Sequence, residues 1–187
     1  MAIIHCLGVG LVGSYVAKKL SANGHQVHAH DLNPDNVLET GVAAGFSSYA
    51  ILSALHKNGK GMLYSSDFPY FRIKDPEKYI GIVVEEKLRN NWHLFVEGDQ
   101  NNLKKIFKRI KKIDMFSYDS DKTYSGRSKT LKKVSNLLNE NSVIIMDDIQ
   151  DNSFFYDFIK ENNISNWKVF EFQSKYLGII GKIVNKK

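Results

Sequence analysis

Two glycine-rich runs stand close together in this chain, GVGLVG from Gly8 to Gly13 and ETGVAAGFSS from Glu39 to Ser48, each directly behind a short apolar segment. Glycine has no Cβ, so at such a turn the backbone can approach a phosphate or another polar ligand that a larger residue would keep away. In the first run Gly8, Gly10 and Gly13 are spaced to admit a pyrophosphate to a helix N-terminus. Asp31, eighteen residues after Gly13, stands where an acid takes a ribose. Around the second run, Glu39 precedes Gly41 and Gly45, and Ser47 follows them. Further along, Asp67, Asp99, Asp119 and the pair Asp147-Asp148 each close an apolar segment. A carboxylate can accept from two neighbouring hydroxyls, and several carboxylates together suit a hard cation such as Mg²⁺. Asp also begins turns and caps helices, so any one of these acids has a structural alternative. It is their recurrence after strand upon strand that points to a site.

The elements that must position these residues follow from apolar patterning. Ile3 to Leu7 reads as a strand, Leu11 to Ala22 as a helix stopped at Asn23-Gly24, and Gln26 to His30 as a second strand. The rhythm then restarts. Strands are predicted at Val37 to Thr40, Met62 to Ser66, Trp92 to Val96, Ile113 to Tyr118 and Val143 to Met146, with helices over Ser47 to Lys57, Leu103 to Lys112, Lys129 to Leu138 and Ser153 to Asn162. Two late strands, Trp167 to Phe172 and Tyr176 to Ile183, joined by a turn near Ser174-Lys175, allow an antiparallel pair. The expected fold is therefore α/β, a doubly wound Rossmann-like and mostly parallel sheet with a C-terminal antiparallel hairpin, in three layers α/β/α. In such sheets ligands bind beyond the carboxyl ends of the strands, the rim on which the acids converge.

Composition bounds the partners. At 187 residues, 43% hydrophobic and 25% charged, the chain has the make-up of an ordinary globular protein. The net charge of +6 is spread widely, which favours a solvated basic exterior and makes nucleic acid an unlikely partner. The basic run LKKIFKRIKK fits a surface helix lying on a sheet, with membrane or RNA docking as the less favoured alternative. One cysteine, Cys6, no secretion leader and no long apolar run give the expectation of a cytoplasmic protein without a membrane partner. A homodimer is an open expectation. No histidine stands out as a base.

From Val37 to Ile183 the motif order VLETGVAAGFSS, LYSSDFP, WHLFVEGD, YDSDKTYSGR and VIIMDDIQDN resembles class I S-adenosylmethionine (SAM)-dependent methyltransferases, most closely the small-molecule O-methyltransferase-like branch. The resemblance implies SAM as cofactor, with Glu39, Gly41, Gly45 and Ser47 at its amino-acid half, Asp67 on the ribose hydroxyls and Asp99 near the adenine. It places Asp119 and Asp147 in catalysis; Lys122, in the loop after Asp119, is a further catalytic candidate that can position an anionic substrate or accept a proton, with a surface charge as the alternative. It also matches Asp119, Asp147 and Asp148 to a Mg²⁺ site, while related enzymes use the same acids without metal, as orienters or as a base. The acceptor implied is the hydroxyl of a small molecule or a sugar.

Residues 1 to 36 resemble instead the first unit of NAD-dependent dehydrogenases of the 6-phosphogluconate or hydroxyacid type, with Gly8, Gly10, Gly13 and Asp31 as NAD(P) ligands. That resemblance stops near Pro34. Two readings follow: a methyltransferase domain over 37–187 behind a Rossmann-like β-α-β fragment and hybrid junction, or an NAD(P)-binding module. A hybrid without catalytic activity is a third. Only Leu32 to Asn36 separate the strand before Asp31 from the one at Val37, too few for a parallel crossover. Either a helix runs from Pro34 through Val42, or the first 31 residues pack at an edge of the sheet or elsewhere.

Overall fold

The computed structural model describes residues 3–7, 21–24, 26–30, 34–70, 72 and 74–181. The chain divides into two compact units, Met1–Asn33 and Pro34–Lys187. In the first, β1 (Ile3–Leu7) and β2 (Gln26–His30) pair in parallel, with Ile3 opposite Gln26 and Leu7 opposite His30. Both are the strands the apolar patterning predicts. Gly8, Gly10, Gly13 and Asp31 lie outside the described residues.

The second unit is built on seven strands: β3 (Asn36–Thr40), β4 (Met62–Ser66), β5 (Trp92–Phe95), β6 (Ile113–Tyr118), β7 (Leu138–Met146), β8 (Trp167–Phe172) and β9 (Lys175–Gly181). Their order across the sheet is β5-β4-β3-β6-β7-β9-β8. The first five are mutually parallel, and β9 runs antiparallel to both β7 and β8. The helices are α1 (Phe46–Asn58), α2 (Asp99–Ile106), α3 (Tyr124–Val134) and α4 (Phe154–Glu161). The mixed sheet with its C-terminal hairpin is the one expected. Because Asn36–Thr40 is a strand, a helix from Pro34 through Val42 does not form. β2 belongs to the two-stranded sheet and β3 to the seven-stranded one, so no crossover between them is required.

β3 shows why the core has two sides. Successive side chains of a strand point to opposite faces. Val37 accordingly joins an apolar cluster with Leu52 and Leu55 of α1, Leu63 and Trp92, whereas Leu38 joins another with Leu103, Ile106, Phe116, Leu131 and Phe154. The sheet is thus covered on both faces.

Three elements depart from their predicted bounds by four residues or more, each through local polar chemistry. The helix expected at Leu103 to Lys112 is Asp99–Ile106, because Gly98 (φ +81°) starts it and its carbonyl accepts from the N–H groups of Asn101 and Asn102. The helix expected from Lys129 begins at Tyr124, since the Thr123 hydroxyl accepts from Gly126 N–H at 3.0 Å as an N-cap. β7 starts at Leu138 rather than Val143. Its pairing with β6 jumps from Ile113 opposite Leu138 to Met115 opposite Val143, a bulge held by the Ser142 hydroxyl, which donates to Ile113 O (2.6 Å) and accepts from Asn139 N (2.8 Å).

A buried carboxylate fastens the carboxyl end of β3. Glu39, 1% exposed, accepts from Ser47 and Ser48 at the start of α1 (2.7 and 2.6 Å) and from Ser65 of β4 (2.7 Å). The Trp92 indole N–H donates in turn to the Ser65 hydroxyl at 2.8 Å. Burial raises the Glu39 pKa above its ordinary value, with the three hydroxyls opposing the shift. A folded-state pKa above the unfolded one means that the ionised group weakens the fold above the folded pKa, and that this cost is lifted as pH falls toward 4.5. The stability of the wild type relative to Glu39→Gln should therefore rise as urea titrations move from pH 8 to pH 4.5. A flat or falling difference would contradict the assignment.

Candidate active site

The middle of the sheet turns its chain outward at a glycine loop. β3 lies between β4 and β6, the point at which the strand order reverses direction and where open α/β sheets bind ligands. After Thr40 the backbone turns at Gly41 (φ +82°), where a Cβ would stand 2.2 Å from the carbonyl oxygen of Asp119. No side chain larger than hydrogen fits there. Gly41 N–H donates to Ser66 O at 2.9 Å, and Asp119 N–H donates to Thr40 O at 2.8 Å, so the loop is stitched to the ends of β4 and β6. Gly45 (φ +94°) leads into α1 against the backbone of Gly81. Gly81 and Val83 donate their N–H groups to Ala43 O and Ala44 O.

Asp67, just past β4, closes the loop from the other side. Its Oδ2 accepts from the N–H groups of Val42 (3.0 Å) and Ala43 (2.7 Å), and its Oδ1 from Phe68 N–H (2.7 Å). An ionised carboxylate has about four acceptor sites, so one on Oδ1 remains for a ligand hydroxyl. Asp99, in the first turn of α2, accepts from the Ser66 hydroxyl at 2.5 Å. Gly41, Ala43, Asp67, Phe68, Gly98, Asp99, Asp119, Ser120 and Asp121 surround a cavity of about 420 Å³, within the size range of small-molecule sites. The structure thus brings Gly41, Asp67, Asp99 and Asp119 to one cavity. Glu39 lies buried beneath the loop, bonded to the exposed Ser47 in the first turn of α1, and Gly45 shapes the helix start.

Beside this cavity three carboxylates face one ammonium. Oxygens of Asp119, Asp147 and Asp148 lie within 4.8 Å of one another. Lys122 reaches among them: it is hydrogen bonded to Asp119, and its Nζ stands 3.5 Å from Asp147 and 3.3 Å from Asp148. Burial, followed by the charges of Asp147 and Asp148, outweighs the Lys122 contact and raises the Asp119 pKa. Burial opposes the Lys122 charge, but the hydrogen bond and charges of the carboxylates prevail, so its pKa is also raised and it stays an ammonium at neutral pH. Asp148 has a second partner, Lys175 Nζ at 2.8 Å, whose hydrogen bond is the main reason its pKa falls to about 2. The donor set of three hard oxygens fits Mg²⁺. An ammonium already among them shows how strongly the spot draws positive charge, and a divalent ion there would have to displace Lys122.

Two residues that hold this arrangement carry no mark in the sequence. Arg127, fully buried, donates to Lys122 O (3.2 Å), Asp147 O (3.1 Å) and Asp148 O (2.8 Å), tying the loops after β6 and β7 together. Asn102, also fully buried, donates to Ser66 Oγ, Asp67 O and Phe95 O and accepts from Glu97 N–H, joining the ends of β4 and β5. Among 26 lysines and arginines nothing in one sequence singles out Arg127. A helical Asn has even less to distinguish it.

The fold is shared with solved methyltransferases. The O-methyltransferase from Bacillus cereus in complex with SAH superposes with a TM-score of 0.61 at 15% identity, over 91% of this chain and 80% of that one. TomG, the O-methyltransferase from Streptomyces achromogenes involved in tomaymycin synthesis, in complex with SAM, gives 0.61 at 13% identity over 80% and 74%. A putative rRNA-methylase from Clostridium thermocellum gives 0.58 at 17% over 81% and 88%. No curated protein matches the chain. A family profile described as a methyltransferase domain matches residues 38–149, from β3 to the turn after β7. That span is more than half of the sequence and holds both the glycine loop and the carboxylate cage: the chain belongs to the methyltransferase domain family.

Proposed function

We propose that the protein is a SAM-dependent methyltransferase that transfers a methyl group to a hydroxyl of a small molecule. The observation that carries this reading is the cavity at the switch point of the sheet, walled by the glycine loop, Asp67 and Asp99 and bordered by the cage at Asp119. Asp67 Oδ1 has capacity for a ribose hydroxyl, and Asp99 and Phe68 flank the space for adenine. The SAM and SAH complexes of the two O-methyltransferases of like fold support the same cofactor here.

The chemistry asks little of the protein beyond alignment. A hydroxyl oxygen attacks the methyl carbon in line, the carbon–sulfur bond breaks toward a neutral thioether, and the hydroxyl proton leaves. Holding the reactants in a near-attack geometry supplies a large share of the rate. Of the three cage carboxylates Asp119 alone lines the cofactor cavity, which makes it the residue placed to take the proton. Lys122, held as an ammonium, orients the carboxylates and the acceptor oxygen rather than acting as the base. Asp119, Asp147 and Asp148 would hold Mg²⁺, whose chemistry when bound is to acidify the hydroxyl.

The first unit supports a second reading for its own residues. A parallel β1/β2 pair flanking a glycine run is what a dinucleotide-binding β-α-β requires, so Gly8, Gly10, Gly13 and Asp31 are read as NAD(P) ligands of a fragment over residues 1–36, ahead of a methyltransferase domain over 37–187. No helix among the described residues is long and apolar enough to cross a membrane.

Calorimetric titration tests the cofactor assignment. SAM or SAH should bind the wild type, and Asp67→Ala should weaken binding at least roughly tenfold, because it removes a ribose acceptor and frees the loop N–H groups together. Binding of NAD⁺ with none of SAM or SAH would overturn it. The cage makes a separate prediction. Lys122→Met, by clearing the ammonium, should tighten Mg²⁺ or Mn²⁺ binding about tenfold or more. Asp147→Asn should abolish it, both read by calorimetry and by Mn²⁺ electron paramagnetic resonance. No detectable ion in Lys122→Met would assign the cage to metal-free use.

A further inference from the structure

Two stretches of the chain hold basic residues and no acid at all. Residues 100–113 carry six lysines and arginines and residues 122–139 carry five, out of 26 in the chain. The fold sets the two stretches side by side. Leu103, Ile106 and Ile110 of the first and Leu131 and Val134 of the second enter one apolar cluster with Leu38, so α2, the turn after it and α3 cover the same face of the sheet. They also end together, because Ile113 at the start of β6 is paired with Leu138 at the start of β7. Charge that is spread along the sequence is thus gathered on one face, toward the amino ends of the strands, whereas the cofactor cavity lies at their carboxyl ends.

Five of these cations stand without a partner. Lys105 is bridged to Glu97, Lys112 to Asp35 and Asp114, and Lys122 to the cage; Arg109 lies over the Phe95 ring at 5.3 Å, Arg127 is buried, and Lys129 faces the charge of Asp121. Lys104, Lys108, Lys111, Lys132 and Lys133 are exposed and form no ion pair among the described residues. The last turn of a helix favours cations, which accounts for the sign of Lys104, Lys132 and Lys133. It does not account for Lys108 and Lys111, which follow α2, or for the lack of any acid among the five. Like charges gathered on one face repel, and a counter-charge from outside relieves them. A chain of phosphates fits that need better than a bilayer does. Leu103, Ile106 and Ile110 are each 3% exposed or less and Phe107 packs on the same cluster, so residues 103–112 turn no large apolar side chain outward to enter a membrane.

We propose that this face docks on the phosphate backbone of a nucleic acid, without sequence preference, through Lys104, Lys108, Lys111, Lys132 and Lys133. Each ammonium neutralises a phosphate and releases the counterions condensed on it, a contribution set by salt and not by base identity. The docked polymer lies at the opposite end of the sheet from the cofactor cavity, so the inference stands apart from the choice of methyl acceptor. It departs from the expectation drawn from composition, because the packing of α2 beside α3 and the pairing of β6 with β7 concentrate charge that the sequence disperses.

The test is a fluorescence-anisotropy titration of the full chain into a labelled single-stranded RNA of mixed sequence, repeated at salt concentrations between about 50 and 200 mM. Five phosphate contacts give an expected slope of log K against log salt of about −3.5. Replacing Lys104, Lys108 and Lys111 together by Gln should bring the slope to about −1.4 and weaken binding at the lowest salt at least about tenfold. Lys132→Gln with Lys133→Gln should bring it to about −2.1. Lys57→Gln with Lys168→Gln, two exposed lysines of α1 and β8, should leave slope and affinity as in the wild type. All the replaced side chains are exposed, and far-ultraviolet circular dichroism checks that each variant folds. No binding at the lowest salt would overturn the docking face, as would a slope that the triple variant leaves unchanged or an equal loss in the α1/β8 control. Displacement of the RNA by phosphatidylserine–phosphatidylcholine vesicles at equal accessible charge would overturn it in favour of a membrane surface.

Discussion

The Glu39 carboxylate is the point from which the geometry of the cofactor side is set. Its two oxygens collect three hydroxyls, two from the first turn of α1 and one from β4. That fixes where the glycine loop must leave β3 and where it must enter α1. Through Ser65 the same contact orients Trp92, whose indole fills the space beside Gly81 that a Cβ would need, and Gly81 is the residue against which Gly45 packs. A buried charge is tolerated only where its lone pairs are satisfied, and its satisfaction is what makes the position unique. An apolar residue at 39 would leave three hydroxyls, those of Ser48 and Ser65 in the interior, without their acceptor.

Carboxylates at neighbouring strand ends have taken on different work according to what surrounds them. Glu39 is internal and structural, Asp67 holds a loop by its N–H groups while keeping part of one oxygen free, and Asp99 is oriented by Ser66. In the cage, three acids are set against Lys122 and Lys175, two cations for three anions among these side chains. The protein's net charge of +6 has no bearing on that balance. A basic surface and an acidic site coexist because charges separated by more than a Debye length of about 10 Å are largely screened.

How much of this was legible depended on whether a residue acts through pattern or through partnership. β4, β6 and β8 were predicted to the residue: β4 and β6 because their apolar runs fill the core, and β8, exposed along its length, because β-branched and aromatic residues favour strands. The start of α3 was missed, since Thr123 caps it with a hydroxyl and Gly126 in its first turn disguises it. Gly41 was legible as a close approach, but not as an approach to Asp119 O, seventy-eight residues away in the sequence. Glu39 was expected around the cofactor and is instead sealed beneath the loop, because the serines that bind it are polar residues whose orientation only the fold decides. Arg127 and Asn102 were invisible for the same reason: their function is to donate to carbonyl oxygens, and every residue has one.

The hairpin's place at the site follows from topology. In a run of parallel strands every carboxyl end leads into a helix, so the rim is built from loops that turn away to the sheet's faces. β8 runs in the same direction as the parallel strands, and β9 returns between it and β7. Its turn is therefore a strand-to-strand connection that stays in the plane of the sheet while arriving at the ligand-binding rim. A loop there would present mobile side chains. A two-residue hairpin presents Phe170 and Phe172 in fixed register against Leu177 and Lys175, and Lys175 closes the distance to Asp148. Thus the departure from parallel pairing brings a short, fixed turn to the rim beside the cage, where Lys175 is tied to Asp148 and Tyr176 to Gln150.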